Sequence, residues 1–181
     1  ISKDDILNKK PFLFFKNEDE KVYQYLDETR KNILLVVGAS WKSKMYSKEK
    51  FVKIVQNLKE NFLIAWGNEE EKEIAQFICD NSDAKVLPKI DLNTLKALIS
   101  RVDLVIGNDT APTHMAWALN IPSITIFGNT PAYRNAYETR INKSVESSSV
   151  VNPFKLDKKD FSIKMVDENI IIDMAKELLY V

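Results

Sequence analysis

Two short polar segments of the sequence carry the residue types that bind phosphate groups. The first, 38–44, contains Ser40 and Lys44 together with further Ser and Lys residues and no carboxylate. Hydroxyl groups donate hydrogen bonds and ammonium groups bring positive charge, and both suit a phosphate. A short Lys/Ser tract is by itself more typical of a solvated surface loop, so the phosphate interpretation depends on a second feature.

The second segment, 107–114, leads directly into a predicted helix. The first backbone N–H groups of a helix and the positive end of its dipole favour an anion, although Pro112 removes one donor. The Thr110 hydroxyl donates to a phosphate oxygen, and His114 lies one turn later on the same side. Asp109 repels a phosphate, so its carboxylate either accepts from the hydroxyls of an attached sugar or caps the helix. Taken singly, Asp109 fits a cap and His114 a structural role, whereas their clustering favours a ligand site.

Further candidates have equally good structural explanations. Glu69 follows the second predicted strand, where nucleotide-binding α/β folds place an acid for ribose hydroxyls, but a first-turn carboxylate also stabilises the helix dipole. Trp41, Trp66 and Trp117 offer faces for a base, yet tryptophans in such positions more often fill the core. Gly38 begins GASWKS without the other glycines of a dinucleotide fingerprint, and the P-loop pattern is absent. The sequence therefore disfavours an NAD enzyme or a P-loop NTPase.

Composition narrows the function classes. The 181 residues predict one domain, and 26 basic and 26 acidic side chains cancel, which disfavours nucleic acid as a partner. The single cysteine excludes internal disulfides and cysteine-based metal clusters, and we expect neither a metal nor a cofactor. The lone cysteine also makes a reducing compartment the expectation. No apolar run approaches the roughly 20 residues of a membrane span, so we expect a soluble domain. The chain begins at Ile1, and we interpret it as a segment of a longer polypeptide.

Apolar runs rich in β-branched residues alternate with segments of helical periodicity. Predicted strands cover 33–37, 62–66, 84–87, 104–106 and 124–127. Ser47, Asn68 and Asp91 are predicted caps of the intervening helices. The fourth helix is expected to face inward with Met115, Ala118 and Leu119, and the closing helix with Val166, Ile170, Ile171, Met174 and Leu178. This alternation predicts an α/β fold, a Rossmann-like doubly wound parallel sheet, with ligands bound outside the carboxyl ends of its strands.

The two ends of the chain are less regular. Residues 1–32 are interpreted as a linker or inter-domain segment, with a strand expected at 11–15 and a charged helix at 18–30. Residues 33–181 form the predicted sugar-nucleotide-binding domain. Its longest stretch without clean periodicity is 128–149, which is typical of a functional or mobile loop, and 150–151 is expected to add a last strand.

Four segments of the sequence carry a resemblance to a known family. GNDTAPTHMAWALNIPSITIFGNT at 107–130 resembles the signature segment of the bacterial lipopolysaccharide heptosyltransferases, the ADP-heptose users of glycosyltransferase family 9. The segments GASWKSKMYSKEKF at 38–51, WGNEEE at 66–71 and LPKIDL at 87–92 follow in the order and spacing of that family. The likeness covers most of residues 33–130.

The resemblance implies a fold and a set of roles. Family members have the GT-B architecture of two Rossmann-like halves, and this chain resembles the carboxyl-terminal, donor-binding half. Carried over by position, the resemblance implies that Ser40 and Lys44 contact the diphosphate and that Thr110, the Ala111 backbone and His114 surround it. Glu69 would bind the ribose, and Ile90 would border the adenine. Asp109 would hold the heptose hydroxyls. Lys44 and Asp109 are the implied catalytic residues.

The implied function is heptosyl transfer with inversion from ADP-heptose to the lipopolysaccharide inner core. The general base is expected in the amino-terminal half of the same enzyme, which is thus a partner, and the lipid-borne acceptor implies peripheral contact with the cytoplasmic face of the inner membrane. Two alternatives stay open at this point. One is a GT-B transferase or epimerase that uses a UDP-sugar, and the other is a non-catalytic nucleotide-binding domain.

Overall fold

The computed structural model describes residues 2–180, which contain one six-stranded sheet whose neighbouring strands are all parallel. The strands are β1 (Asn32–Val36), β2 (Asn61–Ala65), β3 (Lys85–Val86), β4 (Leu104–Asn108), β5 (Ser123–Phe127) and β6 (Asn142–Glu146). The α-helices in this range are α1 (Lys3–Leu7), α2 (Lys48–Leu58), α3 (Glu69–Asp80), α4 (Leu92–Ile99), α5 (Ala111–Ala118), α6 (Ala132–Asn135) and α7 (Glu168–Leu179). Short 3-10 helices cover Glu20–Tyr25, Lys42–Lys44 and Ser162–Met165.

The strand order locates the ligand-binding edge of the sheet. The order is β3-β2-β1-β4-β5-β6, so the chain winds outward in one direction from β1 and in the other direction from β4. This doubly wound parallel sheet confirms the predicted α/β fold class. Between the carboxyl ends of β1 and β4, where the winding direction reverses, the two loops diverge and leave a crevice.

Helices bury both faces of the sheet. Along β1, Ile33 and Leu35 join the core that contains residues of α2, α3 and α7, whereas Leu34 and Val36 join the core that contains residues of α4 and α5. Each of these four side chains is buried. Two-sided burial explains why the strand is one unbroken apolar run, since neither face meets water.

Three predicted helix starts are confirmed by their hydrogen bonds. Ser47, Asn68 and Asp91 are the N-caps of α2, α3 and α4, and each side chain accepts from the backbone amide three residues later. Such a cap satisfies an amide that has no acceptor within the helix, so it fixes the residue at which the helix begins. The loops between strands and helices at the carboxyl edge of the sheet therefore have defined ends.

The last strand does not lie where the sequence predicts it. β6 lies inside 128–149, the segment without clean periodicity, whereas 150–151 forms no strand and Val150 is 99% exposed. β6 pairs only with β5, and only Asn142 and Val145 of its residues are buried. An edge strand with so few buried positions carries no continuous apolar signal, and for this reason its sequence does not reveal it.

The strand expected at 11–15 is also wrong. These residues pair with no strand, and the Phe12 amide instead donates to the Ala118 carbonyl at the end of α5. The Phe12 and Trp117 rings meet edge to face with centroids 5.7 Å apart. Phe12 and Leu13 thus contact α5 and the neighbouring core, whereas Phe14 is 82% exposed.

The charged helix expected at 18–30 is reduced to the 3-10 helix at 20–25. Within this 3-10 helix, Val22 is buried in the core beneath α4 and α5. Asp27 ends the segment, because its carboxylate accepts from the Thr29 and Arg30 amides and turns the chain toward β1. The division into a linker at 1–32 and a domain at 33–181 stays a prediction.

The predicted inner faces of the two later helices are confirmed with one exception. At α5, Ala118 and Leu119 are buried and Met115 packs against the core. At α7, the buried residues include Ile171, and Met174 and Leu178 pack against the core. Ile170, part of the predicted stripe, is 50% exposed. Adjacent residues of a helix differ by about 100° in direction, so the isoleucines at 170–172 cannot all face the sheet, and packing buries Ile171 and Ile172.

Candidate functional site

Lys44 and Asp109 form a buried ion pair at the crevice between β1 and β4. Lys44 Nζ lies 2.7 Å from Asp109 Oδ2, and the two side chains are 8% and 4% exposed. Lys44 ends the 3-10 helix in the loop after β1, and Asp109 directly follows β4. The topology of the sheet thus brings together a cation and an acid that are far apart along the chain.

Asp109 is the centre of a hydrogen-bonded cluster. Its Oδ1 lies 3.0 Å from His114 Nε2, and its Oδ2 accepts from Thr130 Oγ1 at 2.8 Å and from Asn135 Nδ2 at 3.0 Å. The N-cap of α5 is Thr110, and within residues 2–180 the Asp109 carboxylate accepts no backbone amide. Helix capping, the alternative role for Asp109, is therefore wrong.

These contacts fix the charge of Asp109. Burial favours the neutral acid, but hydrogen bonds from His114 and Lys44, the charge of Lys44 and the hydroxyl of Thr130 outweigh burial and hold the pKa of Asp109 well below its usual range. Asp109 is therefore a carboxylate at neutral pH. An ammonium group has three N–H donors, so Lys44 retains donors for a ligand beyond the one it gives to Asp109.

Asn108, at the end of β4, holds the loop that carries Lys44. Its Nδ2 donates to the Val37 carbonyl at 2.8 Å, and its Oδ1 accepts from the Tyr46 amide at 2.9 Å. The Asn108 side chain is completely buried, so water does not compete for these bonds. Both ends of the loop are thereby tied to the residue next to Asp109, and the ion pair is held in place without a ligand.

An apolar cavity of about 240 Å³ opens beside the ion pair. It lies over the carboxyl ends of β1 and β2, and its apolar walls come from Val36, Ala65, Trp66, Ile90, Leu92, Leu95 and Pro112. Thr110, the neighbour of Asp109, also lines it and connects it to the ion pair. A cavity with mostly apolar walls and a few polar groups suits a flat ring system joined to a polar group. We call it the apolar cavity.

Glu71, and not the predicted Glu69, lines this cavity. The Glu69 side chain is 77% exposed and lies 3.5 Å from Lys72 Nζ. Glu71 Oε2 accepts from the Gly67 amide at 2.7 Å, and Oε1 accepts from Asn68 Nδ2 at 3.0 Å. The sequence has acids at 69, 70 and 71, so only the orientation of α3 decides which of them turns inward.

The other predicted residues lie along the same edge. Ile90 lines the apolar cavity, and Ser40 is exposed in the loop after β1. Ala111 is the first residue of α5, and within the described chain its amide donates to no acceptor. The His114 side chain, one turn further along α5, is 41% exposed. The His114 imidazole and the Lys44 ammonium thus lie on either oxygen of the Asp109 carboxylate, and the Ala111 amide begins the helix that follows it.

Two partners of Asp109 were not identified from the sequence. Thr130 and Asn135 both lie in the segment 128–149, whose lack of periodicity gave no role to single residues. Thr130 closes the stretch that resembles the family signature, but nothing in that stretch indicates that its hydroxyl reaches Asp109. Contacts made by a loop that folds back over the sheet edge depend on tertiary structure and leave no local pattern.

Residues 2–180 contain neither a membrane-spanning helix nor a cluster of metal-ligating side chains. None of the helices there has the length and apolar character to cross a bilayer. The same residues contain no group of three or more His, Cys, Asp or Glu side chains that could hold a metal ion. Cys79 lies near the end of α3, outside the site, and forms no disulfide.

Residues 8–161 match the model of glycosyltransferase family 9 (heptosyltransferase). The chain belongs to glycosyltransferase family 9. Among curated proteins, this family-9 chain is 40% identical over 177 residues to lipopolysaccharide heptosyltransferase 1 of Campylobacter coli. That alignment covers 88% of the chain and 52% of the relative. The predicted family is confirmed, and the chain spans about half the length of this relative.

Solved structures of heptosyltransferases share the fold of the family-9 chain. E. coli ADP-heptose lps heptosyltransferase II superposes with a TM-score of 0.72 at 15% identity, over 96% of this chain and 55% of that one. E. coli heptosyltransferase WaaC with ADP gives a TM-score of 0.67 at 17% identity, over 88% and 48% of the two chains. At such low identity these structures establish the fold alone.

Proposed function

We propose that this chain is the donor-binding half of an inverting glycosyltransferase that moves heptose from ADP-heptose to the lipopolysaccharide inner core. The observation that carries the proposal is the buried Lys44–Asp109 pair at the crevice, beside the start of α5 and the apolar cavity. The curated relative is named a heptosyltransferase, and one solved relative contains ADP. The chain matches about half of each relative, and we assign it to the carboxyl-terminal half of a GT-B enzyme because the crevice carries the residues that the resemblance gives to the donor-binding half.

In this proposal the nucleoside binds in the apolar cavity. Adenine packs against Ile90 and its apolar neighbours, where a flat ring replaces water at the walls. The ribose hydroxyls donate to a carboxylate at the rim. Glu71 takes this role instead of Glu69, because Glu71 lines the cavity and Glu69 extends into solvent.

The diphosphate lies at the start of α5. The free Ala111 amide and the dipole of α5 favour negative charge there, and the Thr110 hydroxyl adds a donor. Lys44 contributes its remaining N–H groups, and Ser40 and His114 approach from the loop and from the next helical turn. When the glycosidic bond breaks, charge grows on the leaving diphosphate, and these fixed donors stabilise it electrostatically.

Asp109 receives the sugar hydroxyls. Of its two oxygens, Oδ2 has three partners in the structure and Oδ1 has only His114, so Oδ1 retains capacity to accept another hydrogen bond. The general base that activates the acceptor hydroxyl belongs to the amino-terminal half. The acceptor is borne on a lipid, so the complete enzyme works in the cytoplasm at the inner face of the inner membrane.

The test compares two lysines of the same 3-10 helix. Lys44→Ala removes the buried cation, whereas Lys42→Ala removes one that is 75% exposed and paired with Glu70 on the surface. We expect calorimetry to show ADP affinity reduced at least tenfold in Lys44→Ala and little changed in Lys42→Ala, because a charge-assisted bond is worth about 1.5–3 kcal/mol. Circular dichroism and thermal unfolding verify that both variants fold. Equal affinities in the folded variants would remove Lys44 from the diphosphate site.

Competition between nucleotides separates the remaining alternatives. ADP that displaces bound donor much better than UDP supports an ADP-sugar enzyme, whereas the reverse order would support a UDP-sugar transferase or epimerase. Binding of ADP with no heptosyl transfer in the complete two-domain enzyme would indicate a non-catalytic nucleotide-binding domain.

A further inference from the structure

The loop after β5 joins the Lys44 loop to the segment that follows β6. Asn129 Nδ2 donates to Ser43 Oγ at 2.8 Å and to the Asp157 carbonyl at 2.7 Å, and Asn129 is only 1% exposed. Ser43 directly precedes Lys44, and Asp157 directly precedes Lys158. One buried amide group therefore holds close together the backbones of two lysines that are far apart along the chain.

Trp41 brings the ammonium groups of these two lysines to the same ring. The centroid of its ring lies 5.1 Å from Lys44 Nζ and 4.9 Å from Lys158 Nζ. A cation within about 6 Å of a ring centroid is attracted by the negative face of the ring. Residues 147–161 form neither strand nor helix, so it is Asn129 and the ring that place Lys158 beside the crevice.

Lys158 differs from the two lysines of the loop after β1 in its charge balance. Lys44 pairs with Asp109 at 2.7 Å, and Lys42 pairs with Glu70 at 3.0 Å. Lys158 is exposed and forms no ion pair with any other residue that the structure describes. The buried pair offers hydrogen-bond donors but no net charge, whereas a nucleoside diphosphate is strongly anionic. Lys158 thus brings a positive charge that no carboxylate of the described chain compensates.

We propose that Lys158 is a second cation of the diphosphate site, with Trp41 as its positioning residue. The Lys158 ammonium group attracts the diphosphate of the donor from the exposed side, and Lys44 supplies donors from the buried side. This inference rests on the proposed function and deepens it, because it predicts selectivity for a nucleoside diphosphate over a nucleoside. It also predicts a dependence on salt, since salt screens an exposed charge much more than a buried one.

The test uses Lys158→Ala in the 181-residue chain, with calorimetric titration of ADP and of adenosine. We expect ADP affinity about threefold to fivefold weaker, as for the loss of one exposed ion pair, with adenosine affinity unchanged. The loss shrinks in about 1 M salt, where the Debye length falls to about 3 Å. Lys159→Ala removes the adjacent exposed lysine and is the matched control. Lys158→Arg keeps the charge and is expected to retain ADP affinity.

A double-mutant cycle tests the positioning role of Trp41. Trp41→Leu removes the ring and leaves the charge of Lys158, so the ammonium group is no longer held at the crevice. We expect Lys158→Ala to weaken ADP binding less in the Trp41→Leu background than in the unmodified chain. Additive losses would show that ring and lysine act independently, which would overturn the positioning role.

The outcomes separate this inference from the proposed function. A salt-dependent loss of ADP affinity in Lys158→Ala, absent for adenosine and in Lys159→Ala, supports the second cation. Unchanged ADP affinity in the folded variant, or equal losses for ADP and adenosine, would overturn it, while ADP binding by the unmodified chain leaves the proposed function intact. If the unmodified chain binds no ADP, the proposed function fails and this inference fails with it. Thermal unfolding verifies that each variant folds.

Discussion

The Lys44–Asp109 pair is maintained by the groups around it. Removing two charges from water is costly, and the attraction between them offsets that cost only when the remaining hydrogen-bonding positions are also satisfied. Here His114, Thr130 and Asn135 occupy the carboxylate. The pair is therefore a weak net stabiliser as a whole, but either half left alone is strongly destabilising.

Asp109→Asn is expected to reduce the free energy of unfolding by about 3–5 kcal/mol, because it leaves Lys44 buried without its counter-charge. Urea unfolding at pH 7 measures this difference. Glu70→Gln is the control, since its pair with Lys42 is exposed and is worth no more than about 1 kcal/mol. Similar losses in the two variants would show that the buried charge of Lys44 is not the cause.

The stability difference between the unmodified chain and Asp109→Asn is expected to depend on pH. The folded pKa of Asp109 is depressed, so its stabilising contribution is complete above the unfolded pKa of about 3.9 and is lost as the pH falls through the folded value. The difference in unfolding free energy between the unmodified chain and Asp109→Asn is therefore constant from pH 7 to about 5 and shrinks below about pH 4. A difference that stays constant down to pH 3 would contradict the assignment.

At the scale of elements, the contact between β1 and β4 determines the crevice. Val36 pairs with Gly107 in the sheet, and a Cβ atom at position 107 would lie 2.5 Å from Val36 Cβ and 2.6 Å from the Val36 carbonyl oxygen. No backbone strain is involved, and the constraint is the close approach of two strands. The strand predicted at 104–106 is longer in the structure, since β4 continues through Asn108.

Gly107→Ala is expected to destabilise the chain by about 1–3 kcal/mol and to weaken ADP binding, because it pushes apart the strands that carry the Lys44 loop and Asp109. Thermal unfolding and calorimetry measure the two effects. Gly67→Ala is the matched control, where the new Cβ would meet only the flexible end of Glu71, at 3.3 Å. We expect a markedly smaller loss of stability there, and an equal loss would argue against overpacking at Gly107.

Neighbouring isoleucines of α7 test which face of that helix is buried. Ile171→Ala removes a fully buried side chain from the core beneath α2 and α7 and is expected to cost about 2–5 kcal/mol. Ile170→Ala removes a half-exposed one and is expected to change stability by about 0.5 kcal/mol. Urea unfolding distinguishes them, and the opposite ranking would contradict the burial of Ile171 and the exposure of Ile170.

At the scale of the whole molecule, the proposed function separates binding from turnover. If the general base belongs to the other half of the enzyme, the 181-residue chain alone binds donor without transferring heptose. A ligand that binds only the folded state raises its stability by about 2.7 kcal/mol at one hundred times its Kd, so ADP is expected to raise the melting temperature. Heptosyl transfer by the chain alone, measured with purified acceptor, would contradict this division of roles.

The general architecture could be predicted because it follows from local patterns. Unbroken apolar strands, helical periodicity and the caps Ser47, Asn68 and Asp91 each act over a few residues, and together they predict a doubly wound sheet. The polar edge strand β6 escaped prediction, since burial of only two of its side chains leaves no such pattern. The same reasoning explains why 11–15, an apolar segment packed on a helix, resembled a strand.

Some residues of the candidate site could likewise be predicted from the sequence, and others could not. The sequence by itself determined the family and named Lys44, Asp109, Thr110 and His114, because these residues lie in continuous segments with recognisable chemistry. Only the tertiary structure decided that Glu71 faces the cavity in place of Glu69, and that Asp109 is enclosed by distant side chains instead of capping a helix. The physical reason is range: propensity and periodicity are properties of neighbours along the chain, whereas burial and hydrogen bonding depend on which distant segments the sheet brings together.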